Sequence, residues 1–428
     1  MEVRIMKKIS IVTMLVALVA VMAGSAQAAF TVGGENGWSL GTDGIVNIFG
    51  AYQTTNPLPD AGTRDPTALN HLLGGVVDGR SQQDQKFGIR VGLLPSIFAI
   101  NIKAPTVGGI ESNVRVSFWP NNQNTTDTRF ETAPNIDNRE FYYTAKGKFG
   151  EFLAGRALNL FQGQNILNDM CLFSAGVVDM SQVRGGTSLG HIGYGYLYTN
   201  FGPQFRYTTP DMAGFKVAFE IGEPYAISRN SAKQNIPRLE TELSYATTFK
   251  GGSVHAWLEG IWQQDTRGTS AIPNARAAES HNTSLGIAPG FTLAVGPVGF
   301  NASGYYGGGL GMVSAQDGPI FGWNSTDAYG NTRTNWGFLV GTTFQATDSI
   351  KVGLNYGANH QNKTDAESAL GFGQGVPKKC QEAVVAQANW NLNKFTVFTA
   401  EYILARDTWQ DRKGQNSNQF ALGTVFFW

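Results

Sequence analysis

Much of the chain alternates apolar and polar residues with a period of two, the mark of strands that present one apolar face. In the stretch 239–249, apolar residues take the odd positions and Glu240, Glu242 and Ser244 the even ones. Over 215–221, Lys216 and Glu220 sit opposite the apolar face, and Ile350, Val352, Leu354 and Tyr356 alternate with Lys351, Gly353 and Asn355. The last nine residues behave likewise: Phe420, Leu422, Thr424, Phe426 and Trp428 share one face, and the chain stops on an aromatic. Chain ends usually fray into water. A greasy final strand with a terminal aromatic suits a strand that faces lipid and ends in an interfacial aromatic belt.

Connections between these segments come in two lengths. A first strand is expected over 44–53, a second over 86–103 with a kink at Pro95, and a third in which Val114, Val116 and Phe118 alternate with Asn113, Arg115 and Ser117. Tight turns follow at 108–109, 146–148, 210–214, 250–252, 296–297, 347–348 and 391–394. Long polar stretches lie between them at 54–85, 120–138, 157–200 and, last, 406–418. The pattern predicts an all-β, antiparallel transmembrane β-barrel of about sixteen strands with short periplasmic turns and long extracellular loops. A β-sandwich has no reason to keep its two ends so different, and no blade-length repeat marks a propeller.

Composition agrees. Charged residues are 15%, aromatics 12%, and glycines number 53. Met6-Lys7-Lys8, the apolar run 9–22 and Ala26-Gln27-Ala28 read as a secretory signal peptide over residues 1–28, leaving 29–428 as one barrel domain. Removing Arg4, Lys7, Lys8 and Glu2 from 32 basic and 32 acidic residues leaves 29 against 31. That balance gives no basic footprint for nucleic acid. Beyond the signal peptide no apolar run is long enough to span a bilayer as a helix, so a membrane location requires closed strands. The five histidines are scattered without HExxH, there is no GxSxG, and no CxxCH attaches haem, so neither an enzyme nor a cofactor is expected.

Four stretches carry a resemblance to the general Gram-negative porins. Residues 44–50 (GIVNIFG) resemble the first strand, 143–156 (YTAKGKFGEFLAGR) the hairpin before the third loop, and 204–215 (QFRYTTPDMAGF) the hairpin after it. Phe420, Leu422, Phe426 and Trp428 resemble the C-terminal assembly signal, with Trp428 where the family usually has Phe. The resemblance implies a homotrimeric outer-membrane diffusion channel for small hydrophilic solutes and ions. It also implies contact with membrane lipid and lipopolysaccharide, and insertion by the outer-membrane assembly machinery. An eighteen-stranded specific channel and a plugged structural or adhesive barrel stay open as alternatives.

The resemblance further implies that the loop at about 157–200 folds into the lumen and sets acidic residues, here Asp169 and Asp179, against basic wall residues. Arg90, Arg115 and Arg206 have the inward parity for that wall, and Arg156 starts the loop and could brace it. Opposed charges in a narrow wet slot sort solutes by charge and dipole. Inward glutamates, including Glu140, Glu220, Glu240 and Glu242, offset the arginines, so weak ion selectivity is expected. Cys171 in the third loop and Cys380 at the end of the seventh are placed on the same side of the barrel, which makes a disulfide between them one expectation and two free thiols the other.

Overall fold

The computed structural model describes residues 30–57, 85–123, 136–178, 188–316, 324–373 and 375–428. The signal-peptide assignment lies outside them. The described strands form one antiparallel sheet that closes on itself. Its segments are β1 (Phe30–Gly33), β2 (Ser39–Thr55), β3 (Gln85–Arg90), β4 (Ile97–Lys103), β5 (Glu111–Pro120), β6 (Ile136–Gly147), β7 (Gly150–Leu158), β8 (Phe201–Thr208), β9 (Phe215–Gly222), β10 (Ser231–Lys233), β11 (Arg238–Phe249), β12 (Gly252–Arg267), β13 (His281–Val295), β14 (Val298–Gly308), β15 (Thr334–Gln345), β16 (Ile350–Gln361), β17 (Lys378–Asn391), β18 (Thr396–Trp409) and β19 (Gly414–Phe427). Among the described residues two helical turns, α1 (Gly163–Leu167) and α2 (Asp365–Leu370), interrupt the loops. β1 and β10 are short flaps, and β3 and β4 are halves of one strand along β2, so the wall has sixteen strands and not eighteen.

Closure joins the first long strand to the last. β19 pairs with β2 from Ser417↔Thr55 to Phe427↔Ile45. Trp428 and Gly44 then exchange backbone hydrogen bonds of 3.1 and 3.2 Å, and β1 continues the line beyond the C-terminus by pairing with Gly41 and Thr42. No edge is left for hydrocarbon to meet. Outward positions carry the apolar set: Val46, Ile48, Tyr52, Phe420, Leu422 and Phe426 are all exposed. At the tight-turn rim aromatics gather, including Phe98 with Trp428, Phe395 with Phe426 and Phe215 with Tyr245, as an interfacial belt requires.

Hairpin turns at one rim are as short as two residues, at 148–149, 250–251 and 296–297. The other rim carries the long connections, with one exception. The expected loop at 406–418 is mostly strand, because β18 runs to Trp409 and β19 starts at Gly414. Arg406, Asn416 and Asn418 on the outer face and Gln415, Ser417 and Gln419 on the inner face are all polar, so period two leaves no trace in the sequence. The first strand is likewise longer than its apolar segment.

The kink at Pro95 is a full break between Arg90 and Ile97, and Val91, which by period two would follow the exposed Phe87 and Ile89, is buried there. Asn47 on β2 fills in for the missing strand. Its Oδ1 accepts from the Gly92 N–H at 2.7 Å, and its Nδ2 donates to the Leu94 carbonyl at 2.7 Å. Both side-chain bonds are buried, so losing them exposes orphan backbone groups. Asn47→Ala is expected to destabilise the folded barrel by about 2–5 kcal/mol, read as a lower urea midpoint in detergent. A change below roughly 0.5 kcal/mol would show that the break does not depend on Asn47.

Candidate functional site: the loop across the lumen

The third loop, 159–200, leaves β7 and returns to β8. Its neck is closed by Asn159, whose N–H donates to the Asn200 carbonyl and whose Nδ2 donates to the Thr199 carbonyl at 3.0 Å. Irregular backbone inside a barrel has N–H groups without strand partners, and each must find an acceptor. Inward carboxylates of the wall supply them. Leu160 N–H donates to Glu220 at 3.1 Å and Phe161 N–H to Glu240 at 2.7 Å. Glu259 accepts from the Gln162 and Gln164 N–H groups with one oxygen each, at 2.7 Å, and so caps α1, whose N-cap Gln162 makes no side-chain capping bond of its own. Farther along, Glu401 takes the Ser174 hydroxyl at 2.7 Å and the Ala175 and Gly176 N–H groups at 3.0 Å. Hydrogen bonds to a charged acceptor are the strong ones.

Amides complete the attachment. Gln419 bonds Val178 N–H and carbonyl at 2.9 Å each, and Asn359 accepts from Gly195 N–H at 2.9 Å while donating to the Tyr196 carbonyl at 3.0 Å. The anchoring strands β9, β11, β12, β16, β18 and β19 run round much of the circumference. Between anchors the contact is apolar: Ile166, Val177, Val178 and Tyr194 pack in one cluster with Val385, Ile403, Ala421 and Val425 of the inner wall. At Gly357 the loop approaches the wall so closely that an added Cβ would lie 2.1 Å from the Tyr194 carbonyl oxygen.

Asp169 does not front the arginines. It is fully buried and organises the loop from within, accepting from Cys171 N–H at 3.0 Å, His191 N–H at 3.1 Å and the Tyr196 hydroxyl at 2.7 Å. The His191 Nδ1 lies 3.1 Å from both carboxylate oxygens. Burial opposes its charge, but the His191 ring and these donors hold the carboxyl below its ordinary range. Burial, with Asp169 and Glu401 adding, pushes the Cys171 thiol well up. Asp169, Cys171 and His191 bring ligand-type atoms within 4.8 Å of one another. Their carboxylate is already saturated by donors and the thiol is held protonated, so the trio reads as a hydrogen-bonded hub.

The wall arginines meet partners rather than open water. Arg115 bonds Asp43 and Glu140, each at 2.8 Å, with all three side chains mostly buried. Arg206 reaches Glu220 at 3.0 Å and the Leu158 carbonyl, bracing the loop's start. Arg238 spans Glu220 and Glu240 at 3.2 and 2.8 Å. Arg90 is buried, its Nη1 on the Ile89 carbonyl at 2.8 Å. Arg156 corrects the expectation: it is exposed, opposite the outward Phe141 on the neighbouring strand. β7 continues to Leu158, so Arg156 still obeys strand parity and faces away from the lumen. Asp179 lies outside the described residues. Asp43, Arg238, Glu259 and Glu401 were missed; their inward parity within polar–apolar strands was the available signal.

The disulfide is also corrected, since both cysteines are free. Cys171 lies in the lumen loop. Cys380 belongs to β17, not to a loop, and takes the outward parity of Val384 and Ala386. Its Sγ is 3.7 Å from His360 Nε2, and that ring stacks on Trp336 at 3.9 Å between centroids. The wall therefore stands between the two sulfurs.

No curated protein sequence matches the chain. Among solved structures it is similar to the outer membrane channel DcaP of Acinetobacter baumannii, at 15% identity over 93% of this chain and 100% of that one, TM-score 0.65. An anion-selective porin from Comamonas acidovorans aligns at 13% identity over 91% and 100%, TM-score 0.59. The trimer form of OmpT, an outer membrane protein of Vibrio cholerae, aligns at 15% identity over 92% and 100%, TM-score 0.51. At such identities the likeness speaks for the fold, while the profile of the Gram-negative porin family matches residues 14–428 directly. The chain therefore belongs to the Gram-negative porins, barrels of the bacterial outer membrane through which small solutes pass by diffusion.

Proposed function

We propose that this porin is a diffusion channel whose flux is set by the third loop and whose ion selectivity is weak, with solutes passing unchanged. One observation carries the reading: the buried arginines around the loop stand against carboxylates, Arg115 with Asp43 and Glu140, and Arg206 and Arg238 with Glu220 and Glu240. Three guanidiniums against four carboxylates nearly cancel, which leaves little field of one sign to sort ions. Asp169 serves the loop's internal order in this reading, and Arg115, Arg206 and Arg90 are the wall residues that border the passage. The mature chain begins after residue 28, the C-terminal strand with Phe420, Leu422, Phe426 and Trp428 outward is the signal for insertion, and the working unit is a homotrimer in contact with lipopolysaccharide. The trimer form of the Vibrio protein supports the homotrimer.

Two measurements test this. Reversal potentials across a planar bilayer in a salt gradient should give a permeability ratio within about threefold of unity. Arg115→Gln, which leaves Asp43 and Glu140 without their guanidinium, should move it several-fold toward cations. A strongly one-signed wild type, or an unmoved variant that still shows the heat-modifiable mobility of a folded barrel, would contradict the paired-charge reading. Separately, Gly357→Val places a branched side chain where the loop backbone now lies. Single-channel conductance should then change by a clear step, with added noise from a loosened loop. Traces identical to wild type would show that the loop does not limit flux.

A further inference from the structure

On the outer wall, toward the rim of long loops, neighbouring strands bring together side chains that contact with lipid does not explain. His360 near the end of β16 pairs across the ladder with Cys380 near the start of β17, and Trp336 on β15 pairs with His360. Glu382 follows Cys380 on the same face, opposite Arg406 on β18. Arg406 belongs to the stretch of β18 that is polar on both faces, so this group stands above the hydrocarbon, within reach of water. It is open from outside: Tyr356 is exposed, His360 and Glu382 are half-buried, and Cys380 beneath them keeps 9% of its surface.

The Cys380 Sγ lies 3.7 Å from His360 Nε2. A tetrahedral zinc, with Zn–S of about 2.3 Å and Zn–N of about 2.0–2.1 Å, sets its sulfur and nitrogen roughly 3.5 Å apart. The two donor atoms therefore already stand near the spacing of ligands on one ion. The His360 ring is held flat on Trp336, with 3.9 Å between centroids and 10° between planes, which keeps it from turning away. Glu382 adds charge. Its Oε2 accepts from the Tyr356 hydroxyl at 2.8 Å, and among the described residues no lysine or arginine forms an ion pair with it. It is near enough for its charge to act on both His360 and Cys380. Residues two apart on one strand face are separated by about 6.8 Å, a distance that a glutamate side chain covers. Asp169 in the lumen loop has its carboxylate filled by buried donors, whereas Glu382 has one hydroxyl, from an exposed tyrosine.

We infer that His360, Cys380 and Glu382 bind a divalent cation of the zinc class on the outer wall. The ion takes the Cys380 sulfur, the lone pair of His360 Nε2 and one Glu382 oxygen, with water in the fourth position. As the sulfur–metal bond forms, the thiol proton passes to water, and the Tyr356 hydroxyl turns to water as Glu382 turns to the ion. His360 keeps its ring proton on Nδ1, and no electron is transferred. Thiolate and carboxylate then carry two negative charges against the two positive charges of the ion. A sulfur–nitrogen hydrogen bond alone would leave Glu382 uncompensated. Sulfur and imidazole select a soft or borderline ion over magnesium or calcium, which prefer oxygen. The bound ion ties β16 to β17 from outside the barrel.

Cadmium, a stand-in for zinc whose bond to thiolate absorbs in the ultraviolet, tests this on the purified full barrel in metal-free detergent. Wild type should gain the thiolate-to-metal band until one cadmium is bound per chain. Excess zinc should displace it, and magnesium should not. Cys171→Ser should keep the band and Cys380→Ser should lose it. His360→Gln and Glu382→Gln should each weaken binding at least about tenfold. Zinc should also raise the unfolding temperature of wild type and leave that of Cys380→Ser unchanged. Heat-modifiable mobility checks that each variant is a folded barrel. No band in wild type, a band that survives Cys380→Ser, or unaltered affinity in His360→Gln or Glu382→Gln would overturn the site.

Discussion

Everything in this molecule depends on the pairing of its first long strand with its last. A sheet in hydrocarbon has no water to satisfy an open edge, so the barrel exists only if β2 and β19 meet in register. They do so over their shared length, and the backbone of Trp428 then bonds that of Gly44. The terminal aromatic is therefore not an ornament of the sequence. It ends the closing strand at the interface, where an amphipathic ring is favoured, against Phe98 and Phe426.

Closure creates a second problem and the third loop answers it. A wide barrel encloses space that must be filled by water or by chain. Here the chain enters, and its irregular backbone is satisfied by side chains of the wall. Glu220, Glu240, Glu259 and Glu401 spend their charge on N–H groups of the loop, while apolar residues of loop and wall pack between them. Glu220 and Glu240 also hold Arg206 and Arg238, so there loop anchoring and charge compensation on the wall are one network. Removing a member of such a network exposes several partners at once.

The sequence made the architecture legible because lipid and water impose opposite demands on alternate residues. Glu240 and Glu242 opposite Leu239 and Leu243 across one strand, repeated along the chain with short turns at one end and long connections at the other, could mean little else. Arg115 and Arg206 followed from the same parity. The errors arose where parity carries no contrast or was abandoned too soon. The end of β18 and the start of β19 are polar on both faces above the lipid, and they looked like loop. Arg156 and Cys380 lie inside strands that outlast their apolar segments, so both face outward. Asp169 could not be placed from sequence at all, because its partners Cys171, His191 and Tyr196 are assembled only by the fold of the loop.

The central claim is that this closed wall, with its loop in place, still conducts. Osmotic swelling of liposomes carrying the purified protein, in sugars of graded size, measures that directly. The account predicts fast swelling in the smallest sugars and a steep fall as size increases, the signature of a passage narrowed by the loop. No swelling above protein-free liposomes, even in the smallest sugar, would contradict it and would make the barrel a plugged one.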